Sequence, residues 1–578
     1  MKKHITITTC AAALLSLSLC SCSDFLDLDP LNEIVEEDFW TSEDDVESIV
    51  LGCYSAMQSE EVAYRMMVWG EFRSDNIVGA TNVENYEALA NIFKENINAK
   101  NDFTTWGEFY DIINRCNLVL LHAPDVAETD PNYTESELNA TRAEVIAIRS
   151  LMYFYLIRTF RDVPYNTEAY TADNQELAIP ATSFDVILDS LINDLEEVKD
   201  YAIDTYPETQ PLYQRGRITL DAINALLCEL YLWKEDYSSC IYYADLVIDA
   251  KIDEFTSGSS SETTSGMSQS NRLYEGYPLI EDEARNGSSW GEAYNEIFGD
   301  GASDESIFEL IYTNDESMLS NDAVSYMYGN QTTFPGYVGP AEYLSSDVDD
   351  ALYEVFNDEY DTRYYENIEA VSSSVYGIGK YSNSAISVEV TSSDISASGS
   401  HYVADNCYAN WIIYRITDIM LLKAEALVQL VNESDSTTES GKELNDSLLN
   451  AAYEIVSVIN QRSNCATTYT EIGYSNYSSK SQMEELVLLE RQKELMFEGK
   501  RWYDLVRKAR RDGNTTYLVS KVSLKGSVDG SVVESKLAKL DGMYWPYNDD
   551  ELKVNPYLEQ NSAFSSGEDD TYESTANN

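Results

Sequence analysis

The stretch that decides the fold is ERQKELMFEGKRWYDLVRKAR, residues 490–510, near the C-terminal end of the chain. Glu490, Glu494 and Glu498 recur at every fourth position, and this spacing predicts three carboxylates on one face of a helix. Two carboxylates can work as general acid and base when they face each other across a substrate. A single helix face supplies no group opposite them, and this argues against catalysis.

The same stretch also contains the positive charges that such a column of carboxylates needs. Like charges four residues apart on a helix repel each other unless cations lie nearby. The arginines that are close in sequence are Arg491, Arg501 and Arg507. We therefore interpret the glutamates as part of a structural ion-pair network and not as catalytic groups.

The order of residues in this stretch resembles the C-terminal signature of the SusD/RagB family of Bacteroidetes outer-membrane lipoproteins. That signature reads Glu-Arg-x-x-Glu-x-x-x-Glu-Gly-x-Arg-Trp-x-Asp-Leu-x-Arg. The matching residues are Glu490, Arg491, Glu494, Glu498, Gly499, Arg501, Trp502, Asp504, Leu505 and Arg507.

Four further segments resemble the family in the same order along the chain. CSDFLDLDP (22–30) resembles its mature start, and IRSLMYFYLIRTFRDVPY (148–165) resembles a family helix that ends in Phe-Gly-x-Val-Pro. WIIYRITDIMLLKAEAL (411–427) and YWPYNDDELKVNPYLEQN (544–561) resemble two later family segments. One departure is Arg161, which stands where the family usually has Gly, so a changed turn is expected there.

The resemblance implies an all-α fold, a SusD-like scaffold of tetratricopeptide-like helical hairpins with a large, irregular, loop-rich insertion that carries minor β structure. It implies a surface lipoprotein that captures a nutrient, usually a glycan, and closes like a lid over a SusC-like, TonB-dependent outer-membrane transporter. Neither enzymatic activity nor a cofactor is expected. The expected regions are a signal peptide (1–21), a lipidated tether (22–40), an N-terminal helical region (41–255), a loop-rich ligand-face region (256–410), a C-terminal SusD/RagB helical region (411–561) and a disordered tail (562–578).

Hydrophobic periodicity also predicts helices in both outer regions. Thr41 or Ser42 can cap a helix through VESIVLGCYSAM, and residues 216–250 predict two helices joined at Glu235-Asp236. The latter unit has the length of a tetratricopeptide repeat and equally fits any helical hairpin. Residues 63–86 look loop-like, and SIFELIY (306–312) is strand-like. The other helical patterns cover residues 104–123, 142–160, 184–200, 411–430, 443–462 and 481–510.

The N-terminus predicts export and lipid attachment. Lys2 and Lys3 precede the apolar run ITITTCAAALLSLSL (5–19), a secretory signal too short to span a bilayer stably. The run ends in LCSC, which is typical of a bacterial lipobox. Cleavage before Cys20 would follow Leu19, a poor small-residue site, so Cys22 is the predicted lipidated residue. The alternative is an ordinary signal peptide with incidental cysteines.

The composition excludes several classes of partner and site. The chain has 101 acidic and 38 basic residues, a formal net charge of −63, which disfavours nucleic acid and anionic lipid surfaces as direct partners. The cysteines after Cys22 include no CxxC pair, so neither a metal site nor a compact disulfide framework is expected. They should be buried as small hydrophobic residues; they are Cys53, Cys116, Cys228, Cys240, Cys407 and Cys465.

The motifs favour binding over catalysis. The sequence has no HExxH, no P-loop and no Ser-His-Asp order, and DGASDE (300–305) lacks the ligand spacing of an EF-hand. Aromatic residues are abundant, with 43 Tyr and 8 Trp. Flat aromatic rings can stack on the apolar faces of sugars, and Tyr and Trp do so with few rotatable bonds. This composition predicts a glycan-binding surface.

The predicted ligand-binding residues lie in the loop-like regions. In the first of these, Trp69 and Tyr86 are candidates for stacking, and Arg65, Asn82 and Asn85 are candidates for hydrogen bonding. The later candidates are Trp290, Tyr294, Tyr328, Phe334 and Tyr337. For each aromatic residue the alternative is a half-buried side chain that supports a loop. The tryptophans expected in the core are Trp106, Trp233, Trp411 and Trp502.

Three functions remain open from the sequence. A lipoprotein that binds a glycan is favoured, and a peptide, as in RagB-like members, is the alternative ligand. A surface glycoside hydrolase would need two carboxylates about 5–10 Å apart across a cleft. A purely structural protein would show no ligand-dependent change in thermal stability, whereas a binding protein is stabilised by its ligand.

Overall fold

A computed structural model describes most of residues 39–565. The predicted signal peptide, the tether up to residue 38 with Cys22, and residues 566–578 of the predicted tail lie outside the described residues. The internal gaps are 172–174, 208, 258–272, 283–288, 314–319, 346–354, 373–374, 392–393 and 405.

Helices dominate the described residues. Their bounds are α1 Glu43–Met57, α2 Glu60–Met67, α3 Glu87–Phe93, α4 Gly107–Thr129, α5 Glu135–Phe160, α6 Phe184–Val198, α7 Tyr213–Gly216, α8 Leu220–Trp233, α9 Tyr237–Ser257, α10 Glu292–Tyr294, α11 Asp322–Met327, α12 Glu342–Ser345, α13 Thr362–Asn367, α14 Ile416–Leu430, α15 Glu439–Arg462, α16 Lys480–Leu495, α17 Arg501–Asp512, α18 Thr516–Val522, α19 Gly530–Leu537 and α20 Asp549–Val554.

The strands form small antiparallel sheets, chiefly within the predicted insertion. The pairs are β1 with β6, β2 with β3, β5 with β11 and β7 with β8, and one three-stranded sheet has the order β10-β9-β4. Their bounds are β1 Ile77–Gly79, β2 Val163–Pro164, β3 Ala181–Thr182, β4 Ser289–Trp290, β5 Ser306–Leu310, β6 Val338–Pro340, β7 Ile368–Ser372, β8 Val375–Ile378, β9 Asn383–Val390, β10 Ile395–His401 and β11 Trp411–Arg415.

The helical body is a series of neighbouring helices packed around one hydrophobic core. In the N-terminal half α1 packs on α4, α4 on α5 and α5 on α6; in the C-terminal half α14 packs on α15 and α16. The two halves meet where α9 packs on α14. The hairpin predicted over 216–250 is confirmed as α8 and α9, in which buried Ala222 and Ala225 permit close approach. The all-α fold with minor β structure is thus confirmed.

Several local predictions are also confirmed. Ser42 is the N-cap of α1, and its side chain and that of Asp45 form a reciprocal capping box. The four tryptophans expected in the core are each at most 5% exposed. All six cysteines after Cys22 are buried free thiols. Among them, the Sγ atoms of Cys53 and Cys116 lie 3.9 Å apart.

Three local predictions are wrong. Residues 481–510 are not one helix, because Phe497 and Gly499 have φ of +67° and +71° and break the chain into α16 and α17. Residues 411–415 form strand β11 beside β5, and α14 begins only at Ile416. The loop-like stretch 63–86 instead begins within α2, which continues as the π-helical turn Val68–Phe72.

The turn Val68–Phe72 touches the break between α16 and α17. A Cβ atom on Gly70 would lie 1.9 Å from the carbonyl oxygen of Gly499, so only glycine fits at position 70. Arg161, at the end of α5, has φ +71° and ψ −73°. The position where the family usually has Gly therefore has a backbone conformation that suits glycine.

Candidate functional site

The three glutamates of the signature are buried within a network of arginines. Glu494 is 3% exposed, and its carboxylate contacts Arg415 Nη1 at 2.7 Å and Arg462 Nη2 at 2.6 Å. Arg363 Nη1 bridges Glu490 and Glu494 at 2.7 and 3.1 Å. Burial alone would raise the pKa of Glu494, but the guanidinium groups of the three arginines hold that pKa well below its usual value.

Glu498 completes this cluster from the break after α16. Arg415 donates to both of its carboxylate oxygens, at 2.8 and 2.9 Å, and Lys380 Nζ lies 2.9 Å away. We call Arg363, Lys380, Arg415, Arg462, Glu490, Glu494 and Glu498 the arginine–glutamate network. Each of its carboxylates contacts a cation, so the interpretation as a structural ion-pair network is confirmed.

The predicted pairing partners in this network were wrong. Glu498 does not lie on the helix of Glu490 and Glu494, and the cations come from distant segments. The arginines of the signature pair with other acids: Arg491 with Asp418 and Asp504, Arg501 with Asp75, and Arg507 with Glu425 and Asp504.

A second acidic pair, buried Asp282 and half-buried Glu366, lies beside the network. Burial raises the pKa of Asp282 to about 6, and burial together with the charge of Asp282 raises the pKa of Glu366 to about 8. Both line a narrow space of about 20 Å³, roughly the room that one water molecule needs. This space is too small for a sugar ring, so the two carboxylates do not flank a glycosidase cleft.

The structure also corrects four of the predicted ligand-binding residues. Trp69 is fully buried against Phe109 and Phe160, and its indole N–H donates to the carbonyl oxygen of Phe103 at 2.8 Å. The other three side chains also form hydrogen bonds within the protein. Tyr294 donates to Gly379 and Asn383, Tyr328 donates to Phe497, and Arg65 donates to Glu61 and Thr105. These side chains shape the surrounding loops and have no face available for a ligand.

Two of the predicted residues, Tyr86 and Tyr337, come together at the surface. Their ring centroids are 5.8 Å apart at an interplanar angle of 73°, and both rings are half-buried. Strand β1, which leads to Tyr86, pairs with β6, which follows Tyr337. Ala80 N–H also donates to the carbonyl oxygen of Tyr337 at 2.8 Å. This sheet brings residues 251 positions apart in sequence onto one surface.

Two further tyrosines join them, and the sequence analysis missed both. Tyr326 is 48% exposed on α11, and its carbonyl oxygen accepts a hydrogen bond from Tyr337 N–H at 3.1 Å. Tyr64 lies on α2, where burial raises its pKa well above the usual value and the nearby Glu60, Tyr86 and Tyr326 add to that rise. Tyr64, Tyr86, Tyr326 and Tyr337 are called the tyrosine cluster below.

Polar groups surround the tyrosine cluster. Asn82 and Asn85 are exposed on the 3₁₀ turn just before Tyr86, as expected for hydrogen-bonding neighbours. Burial, followed by the nearby charge of Asp102, raises the pKa of Tyr86, so this phenol is a neutral hydrogen-bond donor at physiological pH. Rings with one apolar face and a neutral hydroxyl suit a ligand that has both C–H and O–H groups.

Trp290 and Phe334 lie elsewhere on the insertion. Trp290 is half-buried in β4 and pairs with Val388 of β9, a different sheet from that of the cluster. Phe334 packs on His401 with ring centroids 4.1 Å apart. The structure therefore brings Tyr86 and Tyr337 together but does not bring all the predicted rings onto one platform.

The described residues contain no group of three or more His, Cys, Asp or Glu side chains placed to hold a metal ion. Among the same residues, no helix combines the length and apolar character required to cross a bilayer.

Comparison with known proteins gives consistent matches. Residues 248–564 match the sequence model of the SusD family, and residues 24–232 match a family described as "Starch-binding associating with outer membrane". The chain is 25% identical over 587 residues to SusD-like protein P38 of Formosa agariphila, which covers 97% of this chain and 99% of that protein.

Solved structures show the same fold. A SusD superfamily protein from Bacteroides vulgatus superposes with a TM-score of 0.63 at 19% identity, covering 91% of this chain and 100% of that one. A laminarin-binding SusD-like protein superposes with a TM-score of 0.59 at 18% identity, covering 90% and 99%.

Proposed function

Because the chain belongs to the SusD family, we propose that it is a cell-surface lipoprotein that binds a nutrient glycan. The tyrosine cluster is the proposed contact surface, with Asn82 and Asn85 as hydrogen-bonding neighbours. The bound glycan would pass to a SusC-like, TonB-dependent transporter in the outer membrane, over which this protein closes as a lid. Lipidation of Cys22 would hold it at that membrane.

The observation that carries this proposal is the convergence of four tyrosines from α2, α11 and the segments beside β1 and β6. Half-exposed rings held by backbone hydrogen bonds lose little entropy when a sugar stacks on them. The family description "Starch-binding associating with outer membrane" and the laminarin-binding structural neighbour support a glycan as the ligand.

The protein would bind the glycan without cleaving it. The carboxylates of the arginine–glutamate network are engaged by cations, and Asp282 and Glu366 line a space too small for a sugar ring. A surface glycoside hydrolase needs an accessible pair of carboxylates, and neither group supplies one.

The test is calorimetric titration of the soluble form lacking residues 1–22 with laminarin, starch, xylan and a control set of peptides. Tyr337→Ala should weaken glycan binding about tenfold, about 1.4 kcal/mol, because it removes one wall of the cluster. Tyr242→Ala is the matched control, since Tyr242 is 57% exposed on α9 outside the cluster. Equal losses in both variants, binding of peptides alone, or cleavage of the glycan would refute the proposal.

A further inference from the structure

A second cleft lies beside the N-terminal half of α4, and no residue of the tyrosine cluster lines it. Its volume is about 530 Å³, within the usual range for ligand sites. Trp106, Tyr110 and Tyr153 form its floor. Leu177 and Val554 form apolar lips that are 66% and 71% exposed. Exposed aliphatic side chains beside an aromatic floor leave apolar surface in water, which an apolar group of a ligand would cover.

Hydrogen bonds fix the wall formed by Pro164, Asn166, Tyr170 and residues 177–179. Asn114 Nδ2 donates to the carbonyl oxygen of Tyr170 at 3.3 Å, and Tyr170 N–H donates to Asn114 Oδ1 at 2.8 Å. Asn555 Nδ2 donates to Ile179 and Tyr110 Oη donates to Pro164, at 2.8 and 2.6 Å. The side-chain amides of Asn117 and Asn166 both donate to the carbonyl oxygen of Glu168, and Glu168 N–H donates to Asn166 Oδ1. The cleft is therefore preformed, and the side-chain amides that line it are already hydrogen-bonded to other groups of the protein.

The charged side chains among the described lining residues of the cleft are all negative. Asp111 and Glu551 line the cleft, and no Lys or Arg is among its described lining residues. Burial raises the pKa of Glu551, although Trp106 donates a hydrogen bond to its carboxylate. Lys553, on the same helix as Glu551, pairs with Asp550 at 2.7 Å. A cation entering the cleft would meet carboxylates that are not neutralised by a lysine or arginine of the lining.

We propose that this cleft binds a short peptide segment that carries an apolar side chain next to Arg or Lys. The apolar side chain would lie on Trp106 and Tyr110 between Leu177 and Val554, and the cation would face Asp111 and Glu551. An oligosaccharide fits less well, because its hydroxyls need hydrogen-bonding partners. The side-chain amides of the cleft are already hydrogen-bonded within the protein. This site is independent of the proposed glycan surface.

The test uses the soluble form lacking residues 1–22 and three probes, acetyl-Leu-Arg-amide, acetyl-Leu-Gln-amide and acetyl-Leu-Glu-amide, in calorimetric titrations at low salt. The Arg probe should bind about fivefold more tightly than the Gln probe, and the Glu probe should bind most weakly. The double variant Asp111→Asn, Glu551→Gln should abolish the preference for Arg over Gln. Ala178→Trp should fill the cleft and abolish binding of all three probes.

Controls separate this site from the glycan surface. Tyr337→Ala should leave binding of the Arg probe unchanged, and Ala178→Trp should leave glycan binding unchanged, which also shows that the variant folds. The proposal is overturned if the Arg probe does not bind, if the three probes bind equally, or if Ala178→Trp still binds the Arg probe. Displacement of the probe by neutral oligosaccharides and not by basic peptides would overturn the peptide assignment.

Discussion

The arginine–glutamate network and the tyrosine cluster are both assembled from distant parts of the sequence, yet they are opposite in character. In the network, charged side chains are almost completely buried and each carboxylate contacts at least one cation within 3 Å. In the cluster, apolar rings remain partly in water. Charged residues are rarely buried unless they are paired, and exposed aromatic patches commonly mark binding surfaces.

This difference separates the part that stabilises the fold from the part that we propose contacts the ligand. Arg363 and Lys380 belong to the insertion, whereas Arg462 and Glu494 belong to helices of the C-terminal half. Their ion pairs therefore fasten the insertion to the helical body. Loss of a network residue should cost stability, and loss of a cluster residue should cost ligand affinity.

The largest effect is expected for Arg415→Met. This change removes the guanidinium that bridges Glu494 and Glu498, so part of the compensation of this buried negative charge is lost. We expect a loss of about 3–5 kcal/mol in the free energy of unfolding, measured by urea denaturation followed by circular dichroism. The control is Lys94→Met at an exposed pair with Glu84, which should cost less than about 1 kcal/mol. Similar losses in both variants would remove the distinction between the two regions.

Next in size is Gly70→Ala, at the turn that places Trp69 in the core and touches the end of the network. The added Cβ would collide with the backbone of Gly499, which cannot rotate away as a side chain could. We expect a loss of about 2–3 kcal/mol of unfolding free energy. Gly107→Ala is the control, because its Cβ would meet no atom within 4 Å. If Gly70→Ala were as stable as Gly107→Ala, the close contact between Gly70 and Gly499 would not constrain the fold.

The sequence predicted the helical body well because its helices carry local signals. The periodicity of residues 216–250 and the capping residue Ser42 are properties of neighbouring positions, and both predictions were confirmed. The helix break after Leu495 was missed because Phe497, a residue type that rarely has positive φ, adopts a positive φ under the constraint of tertiary packing.

The candidate site was predictable only in part. Aromatic composition identified Tyr86 and Tyr337, but it could not separate these rings from Trp69 and Tyr328, which are buried. That separation depends on which face of α2 and of α11 packs inward. Buried Val62 and Met66 at spacing i, i+4 could have shown that Tyr64 lies off the buried stripe of α2.

A smaller effect, with a defined pH dependence, is expected for Glu366→Gln beside the network. The pKa of Glu366 is about 8 in the folded protein and close to 4.5 when exposed, so between these values the folded state binds more protons than the unfolded state. Stability should therefore be fully present below about pH 4.5 and decrease as pH rises towards 8. Between pH 5 and pH 8 the variant should lose about 3 kcal/mol less unfolding free energy than the parent protein.

Urea denaturation across this pH range provides the measurement for Glu366→Gln. The network behaves with the opposite sign, because the pKa of Glu494 is lowered on folding and its contribution is lost as pH falls. The matched control is the exposed Glu84→Gln, which should parallel the parent protein. If the pH profiles of Glu366→Gln and the parent protein were parallel, the raised pKa of Glu366 in the folded protein would be contradicted.

The smallest effect tests the backbone strain at Arg161, whose ion pairs, unlike those of the network, are partly exposed. Arg161 pairs with Asp162 and Asp541 at 2.8 and 2.6 Å, but its side chain is 36% exposed, so these pairs should contribute less than about 1 kcal/mol each. Its φ of +71° is strained for any residue other than glycine. Arg161→Gly should therefore be more stable than Arg161→Ala by about 1 kcal/mol, since both lose the pairs and only glycine relieves the strain. Thermal and urea unfolding of the two variants measure this difference. The reverse order would mean that the backbone at Arg161 is not strained.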